Sequence, residues 1–214
     1  TSSAAANNGS FFGSLTSSGS LDYRIPAQEY SGMTINASIT YDPNPGAGAA
    51  KGGVSADNGG SGVAYTVQMA HESGLEIGAG YEDQDEQSSN VSADNQTAVT
   101  GYIKYAAGGL TVAYQEAYQD TKTTGVEDAP DKEFTAMGIA YTAGDITVSY
   151  AESEVDTHAS GVTAALKTIE LDSIQAAYTV GAMTISAAMS TTSNDAGVQA
   201  QDYEENTLAV SFAF

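Results

Sequence analysis

Apolar and small polar residues alternate along most of this chain. In Met33-Thr-Ile-Asn-Ala-Ser-Ile-Thr-Tyr41, Met33, Ile35, Ala37, Ile39 and Tyr41 hold one parity and Thr34, Asn36, Ser38 and Thr40 the other. Successive side chains of a strand point to opposite faces, so this period of two predicts strands with one apolar and one polar face. Read throughout, the pattern gives about eleven strands, near 20–26, 32–42, 61–71, 74–83, 96–106, 109–119, 132–142, 145–153, 167–179, 182–192 and 203–214. Short turns at Pro26–Ser31, His71–Ser73, Ala107-Gly108, Ala143-Gly144 and Val180-Gly181 alternate with longer polar segments at 43–60, 84–95, 120–131, 154–166 and 193–202. One edge of the sheet is therefore tight and the other loopy. A repeat of about 36 residues runs through it. Gly32-Met-Thr-Ile35, Gly74-Leu-Glu-Ile77, Gly109-Leu-Thr-Val112, Gly144-Asp-Ile-Thr-Val148 and Gly181-Ala-Met-Thr-Ile185 each open a strand after a short turn, so the repeating unit is a hairpin.

No run approaches the ~18–20 apolar residues that a membrane-spanning helix needs, so any crossing of a membrane is by a barrel. Up-and-down order with unequal loops is what a transmembrane barrel requires. Tyrosine placement adds a second signal. Tyr105, Tyr141 and Tyr178 each stand three residues before the turn glycines at 108, 144 and 181, on the parity of Ile103, Ile139 and Ile174, and predict a ring near the tight edge. Tyr41, Tyr81, Tyr114 and Tyr150 recur on the apolar parity toward the opposite strand ends and predict a second ring. Aromatic rings on both sides of an apolar band are interfacial girdles, although tyrosine is also common in any strand. The last strand keeps the pattern: Leu208, Val210, Phe212 and Phe214 share one face, and Thr207, Ala209, Ser211 and Ala213 the other.

Composition narrows the function classes. The 214 residues contain no proline-rich linker, which argues for one domain. Twenty-seven acidic residues against six basic ones give a formal charge of -21, which excludes a general nucleic-acid binder because phosphate neutralisation needs basic clusters. The absence of cysteine is compatible with an exported protein. No initiator Met, basic n-region or apolar h-region stands at Thr1, so a signal peptide is expected to have been removed or to lie upstream. His71 in a short turn and His158 in a long loop fall on opposite edges, which leaves no His-based triad or two-His metal site. With no Gly-x-Ser-x-Gly elbow and no phosphate-binding loop either, the expectation is a protein that is not an enzyme.

The repeat, the girdles and the closing Ala209-Val-Ser-Phe-Ala-Phe214 together resemble a Gram-negative outer-membrane porin. Leu21-Asp-Tyr-Arg-Ile-Pro-Ala27 and Tyr30-Ser-Gly-Met-Thr-Ile35 are most similar to the sixteen-stranded diffusion porins of alphaproteobacterial type. The resemblance implies an all-β, antiparallel up-and-down transmembrane barrel in the outer membrane, periplasmic tight turns, extracellular long loops, passive diffusion of small solutes and a homotrimer. Eleven strands and an outer N-terminus do not fit a complete barrel of even strand number. The preferred reading is the C-terminal portion of a larger porin. Residues 1–19, with Phe11 and Phe12, are then the end of an inward-folded constriction loop, and 20–214 the barrel strands. The competing reading makes Gly9–Ser17 a twelfth strand of a small complete barrel. Two further alternatives are a surface or adhesion barrel whose acidic loops bind a partner, and a secreted soluble β-sandwich.

Candidate site residues follow from parity. Asp22 and Arg24 alternate with Leu21, Tyr23 and Ile25 and are expected to face the lumen, either shaping a transverse field or forming a plain wall ion pair. Glu76 and Lys104 fall on inward parity in neighbouring strands flanking the loop near residue 90, where a cross-strand ion pair or a solute contact is expected. Glu116, Glu152 and Asp172 point toward lipid by simple parity, which predicts either a position beyond the apolar band or an intervening β-bulge. The long loops carry most of the acid, with Asp83, Asp85, Glu86, Asp128 and Asp156 marking an acidic mouth that favours cations. Such oxygens suit Ca²⁺ or Mg²⁺, yet no Asp-x-Asp-x-Asp-Gly loop is present and no cofactor is expected. The expected partners are small solutes, outer-membrane lipid and further copies of the chain, with a phage or surface ligand as another possibility at the loops.

Overall fold

The computed structural model describes residues 20–43, 61–86, 94–123, 131–158, 167–195 and 198–212. They form β1 Leu21–Tyr30, β2 Met33–Asp42, β3 Gly62–His71, β4 Leu75–Glu86, β5 Asp94–Ala107, β6 Leu110–Thr123, β7 Asp131–Ala143, β8 Ile146–His158, β9 Ile169–Val180, β10 Met183–Ser193 and β11 Tyr203–Phe212. All pair antiparallel in sequence order within one 11-stranded sheet. The hairpin repeat is thus the unit of the fold. Four strands run past their expected ends. β1 continues through Pro26 to Tyr30, with a register shift between Ile25 and Gln28, and the chain turns at Ser31-Gly32. Proline lacks the N–H that a ladder uses, so it is tolerated at a bulge. β4, β6 and β8 run beyond their expected ends to Glu86, Thr123 and His158. Past the tyrosines both faces become polar, so hydrophobic alternation stops while backbone pairing continues.

The tight turns depend on residues without a side chain. Gly74 has φ +91°, and a Cβ there would lie 1.8 Å from the Ala106 carbonyl oxygen, because the Ala106 N–H donates to the Gly74 carbonyl at 2.9 Å. Gly109 repeats the arrangement one hairpin later: φ is +84°, the Thr142 N–H donates to its carbonyl at 2.8 Å, and a Cβ would lie 2.4 Å from the Thr142 oxygen. Each turn is thereby stitched to the next hairpin, and only glycine combines this backbone with so close an approach.

The two faces of the sheet divide as the alternation predicts. Ile103, Ile139, Ile174 and Leu208 share the outer face and remain 48%, 47%, 59% and 76% exposed. The buried apolar residues among those described, Ala98, Ala117 and Phe134, sit on the inner face, as do the buried polar residues Asp42, Glu82, Gln84, Gln119, Ser153, Ser173 and Thr192. A soluble sandwich would bury its apolar face against a second sheet. The described residues form a single sheet with that face bare, so the sandwich alternative does not describe this fold.

Candidate functional site

The inner face of β3, β4 and β5 holds a compact polar cluster. Register sets Glu76 directly opposite Lys104 and Ala70, and Gly78 opposite Tyr102 and Gln68. Lys104 Nζ lies 2.6 Å from Glu76 Oε2, while Tyr102 Oη–H and Gln68 Nε2–H both donate to Glu76 Oε1 at 2.8 Å. A carboxylate with an ammonium, a phenol and an amide around it is held as an anion with much of its acceptor capacity filled. Glycine at 78 leaves the space for this: a Cβ there would fall 2.3 Å from Tyr102 Cε1. The ion pair expected from parity is present. It stands at the tight-turn end of its hairpin, two residues beyond Gly74, and not beside the loop near residue 90. Tyr102 and Gln68 were not singled out from sequence, because their role depends on which residues face each other across strands.

On β1 and β2 the inner face carries a second ion pair. Arg24 Nε donates to Asp22 Oδ2 at 2.8 Å, and Thr40 Oγ1–H donates to Asp22 Oδ1 at 3.1 Å. Arg24 is 83% exposed at its side chain, so the contact is a solvated wall pair of small energetic weight. A cavity of about 610 Å³ opens beside it, lined by Arg24, Asp22, Asn36, Ser38, Thr66 and Gln68 among others. Gln68 therefore joins the two ion pairs into one polar strip.

From β8 to β11 the same face is built from hydroxyls. Thr147, Ser149, Gln175, Ser186, Ser190, Thr207 and Glu205 line a cavity of about 560 Å³. Neighbouring hydroxyls satisfy one another: Thr142 and Thr147 at 3.0 Å, Thr179 and Thr184 at 3.0 Å, and Ser190 to Ser173 at 3.1 Å.

The outer face bears on three expectations. The two tyrosine rings are not separated by an apolar band along the β5–β8 hairpins. Tyr105 pairs with Val112, two residues before Tyr114, and Tyr141 pairs with Val148, two residues before Tyr150. Such diagonal positions lie about 7–8 Å apart. The reason is strand length: Tyr114 and Tyr150 are the fifth residues of β6 and β8. Of the other girdle tyrosines, Tyr178 pairs with Ile146, Tyr81 with Val99, and Tyr41 stands near the end of β2. Secondly, no bulge interrupts β6, β8 or β9, and Glu116, Glu152 and Asp172 stay on the outer face just beyond the tyrosines. Tyr150 Oη–H donates to Glu152 at 2.8 Å and to Asp172 at 2.7 Å, and Tyr114 donates to Glu116. Thirdly, Asp83 and Asp156 stand in paired strand and not in loops. They lie on the outer parity of strands that run on past their expected ends, Asp83 with Tyr81 and Asp156 with Glu152.

Asp85 and Glu86 end β4, and their side chains, like Phe11, Phe12, Asp128 and Phe214, lie outside the described residues; Phe212 closes β11 on the outer face, opposite Met183. Among the described residues no three His, Asp or Glu side chains converge to hold a metal ion. His71 does meet a serine: its Nδ1 lies 2.8 Å from Ser73 Oγ and accepts the Ser73 N–H at 3.1 Å. This is a local turn contact two residues apart, and His158 lies at the far end of β8, beside Glu133 at 3.6 Å.

A single meander with a bare apolar outer face and a polar inner face suits a wall between lipid and water. A sequence model of the Gram-negative porins matches residues 1–171. The chain belongs to the Gram-negative porin family. As a porin of this family it is an outer-membrane β-barrel protein. The fold is likewise similar to a porin whose structure was refined at 1.8 Å resolution, with 15% identity and a TM-score of 0.63. That likeness covers 91% of this porin and 61% of the other chain, so the sequence spans about three fifths of its structural relative. No curated protein matches the sequence.

Proposed function

We propose that this porin forms wall and lumen of a passive diffusion channel for small hydrophilic solutes, that cations pass in preference to anions, and that its long connections face the outside of the cell. The observation that carries the channel reading is the division of one sheet into an exposed apolar face and an opposite face of charges, amides and hydroxyls. The cation preference is supported by what that inner face carries. Asp22, Glu29, Asp42, Glu76, Glu82 and Glu205 lie on it against Arg24, Lys104 and Lys132, and Arg24 and Lys104 are each engaged by a carboxylate. A passage lined by excess negative charge concentrates cations. The assembly proposed is the homotrimer usual for the family. Planar-bilayer recording across a KCl gradient tests both parts: stepwise conductance with a reversal potential favouring K⁺ is expected. Absence of conductance overturns the channel, and preference for Cl⁻ overturns the selectivity.

A further inference from the structure

We propose that the inner wall around Tyr102 is a binding subsite for a neutral saccharide, with the tyrosine ring as a plate for the apolar face of a pyranose. The inference rests on the channel reading for access to the lumen and narrows its solutes to a class. Of the 13 tyrosines, Tyr102 and Tyr203 alone fall on the inner parity, and Tyr203 stands at the loop end of β11. Tyr102 is half-buried, and its ring does not stand up from the wall. It lies across the backbone of Gly78, where an added Cβ would come within 2.3 Å of Cε1 and 2.7 Å of Cζ. Its hydroxyl is fixed by Glu76 at 2.8 Å. The Cε1–Cζ–Oη edge of the ring is therefore packed against the opposite strand, and the plate is set before any solute arrives, which lowers the cost of binding.

The surroundings suit a polyol more than an ion. A pyranose presents C–H groups on one face and hydroxyls around its rim; a flat ring serves the first, and bidentate carboxylates, amides and ammonium groups serve the second. Glu76 and Lys104 neutralise each other at 2.6 Å, so an added ion gains from one and is repelled by the other, while a hydroxyl bonds to either. Lys104 is 40% exposed and gives one of its three donors to Glu76 among the described residues. Gln68 carries the site onward into the cavity of about 610 Å³ with Asn36, Ser38 and Thr66, a volume within the range of small-ligand sites.

Saturation-transfer NMR on the full chain in detergent micelles, with glucose and maltose as probes, tests this without requiring transport. Transfer to the pyranose C–H protons is expected for the wild type, with at least a several-fold loss in Tyr102→Ala, retention in Tyr102→Phe and partial loss in Lys104→Met. If Tyr102→Ala fails to fold, judged by migration of unheated samples, the contrast between Tyr102→Phe and Lys104→Met decides. Equal transfer in all variants, no transfer to either sugar, or stronger transfer to free phenylalanine overturns the subsite. Ion current in bilayers without saccharide transfer overturns the subsite alone. Tyr102-dependent transfer without ion current supports the subsite and overturns the channel.

Discussion

The inner wall changes character along the sheet: from β1 to β5 it is held by charges that need one particular neighbour, and from β8 to β11 by hydroxyls that accept several. Glu76 is satisfied because register sets Lys104 across from it on β5 and brings Gln68 of β3 within reach, while a glycine admits the Tyr102 ring. Moving β5 by one residue would turn Lys104 and Tyr102 to the outer face. The Thr142–Thr147 and Thr179–Thr184 contacts use groups that both donate and accept, so either partner can supply the proton, and Ser190 donates to Ser173. The charged half thus specifies its own register, whereas the hydroxyl half relies on the turns and on the apolar outer face. Two ways of keeping a wall polar carry different penalties when disturbed.

Substitutions that ask each half to tolerate the same insult test that contrast. Gly78→Leu drives a side chain into the Tyr102 ring and separates it from Glu76, and we expect a loss of about 1–3 kcal/mol from overpacking. Thermal unfolding of the micelle-bound protein should show a midpoint several degrees lower; an unchanged midpoint would mean the ring moves aside freely and the charged half is not rigid. Removing one partner of the ion pair comes next. Glu76→Gln leaves Lys104 without its carboxylate and should shift the K⁺/Cl⁻ permeability ratio toward chloride by a few-fold, whereas Lys104→Met should shift it the other way. Equal reversal potentials in both variants would assign selectivity elsewhere. The smallest effect is expected on the other half: Thr147→Val deletes one hydroxyl pair and should cost about 0.5–1.5 kcal/mol with no change in permeability. A permeability change as large as that of Glu76→Gln would erase the distinction between the halves.

Strand number, hairpin repeat and facing were legible because each is written in local alternation. Met33 to Tyr41 shows its outer face in the sequence itself, and the turn glycines mark where each hairpin closes. What escaped is set by neighbours distant along the chain. The nearness of Tyr105 to Tyr114, and of Tyr141 to Tyr150, depends on register, so rings that look far apart along each strand are diagonal neighbours. Asp83 and Asp156 read as loop residues because a strand with polar residues on both faces has no hydrophobic period to reveal it. The Tyr102–Gly78 pair was invisible for the same reason: neither residue is unusual until the two are placed opposite each other.

Every hairpin of this wall passes its backbone ladder to the next, so each strand from β2 to β10 is paired on both sides. Inside hydrocarbon each bare N–H or C=O costs several kcal/mol, so a partly sealed sheet gains nothing by entering the bilayer. The reward from Ile139, Ile174 and Leu208 meeting acyl chains is therefore tied to the ladder behind them, since apolar side chains enter lipid only on a backbone whose polar groups are already paired. A strand that waits unpaired is a template for any passing strand, so forming the ladder guards against aggregation as well as permitting insertion.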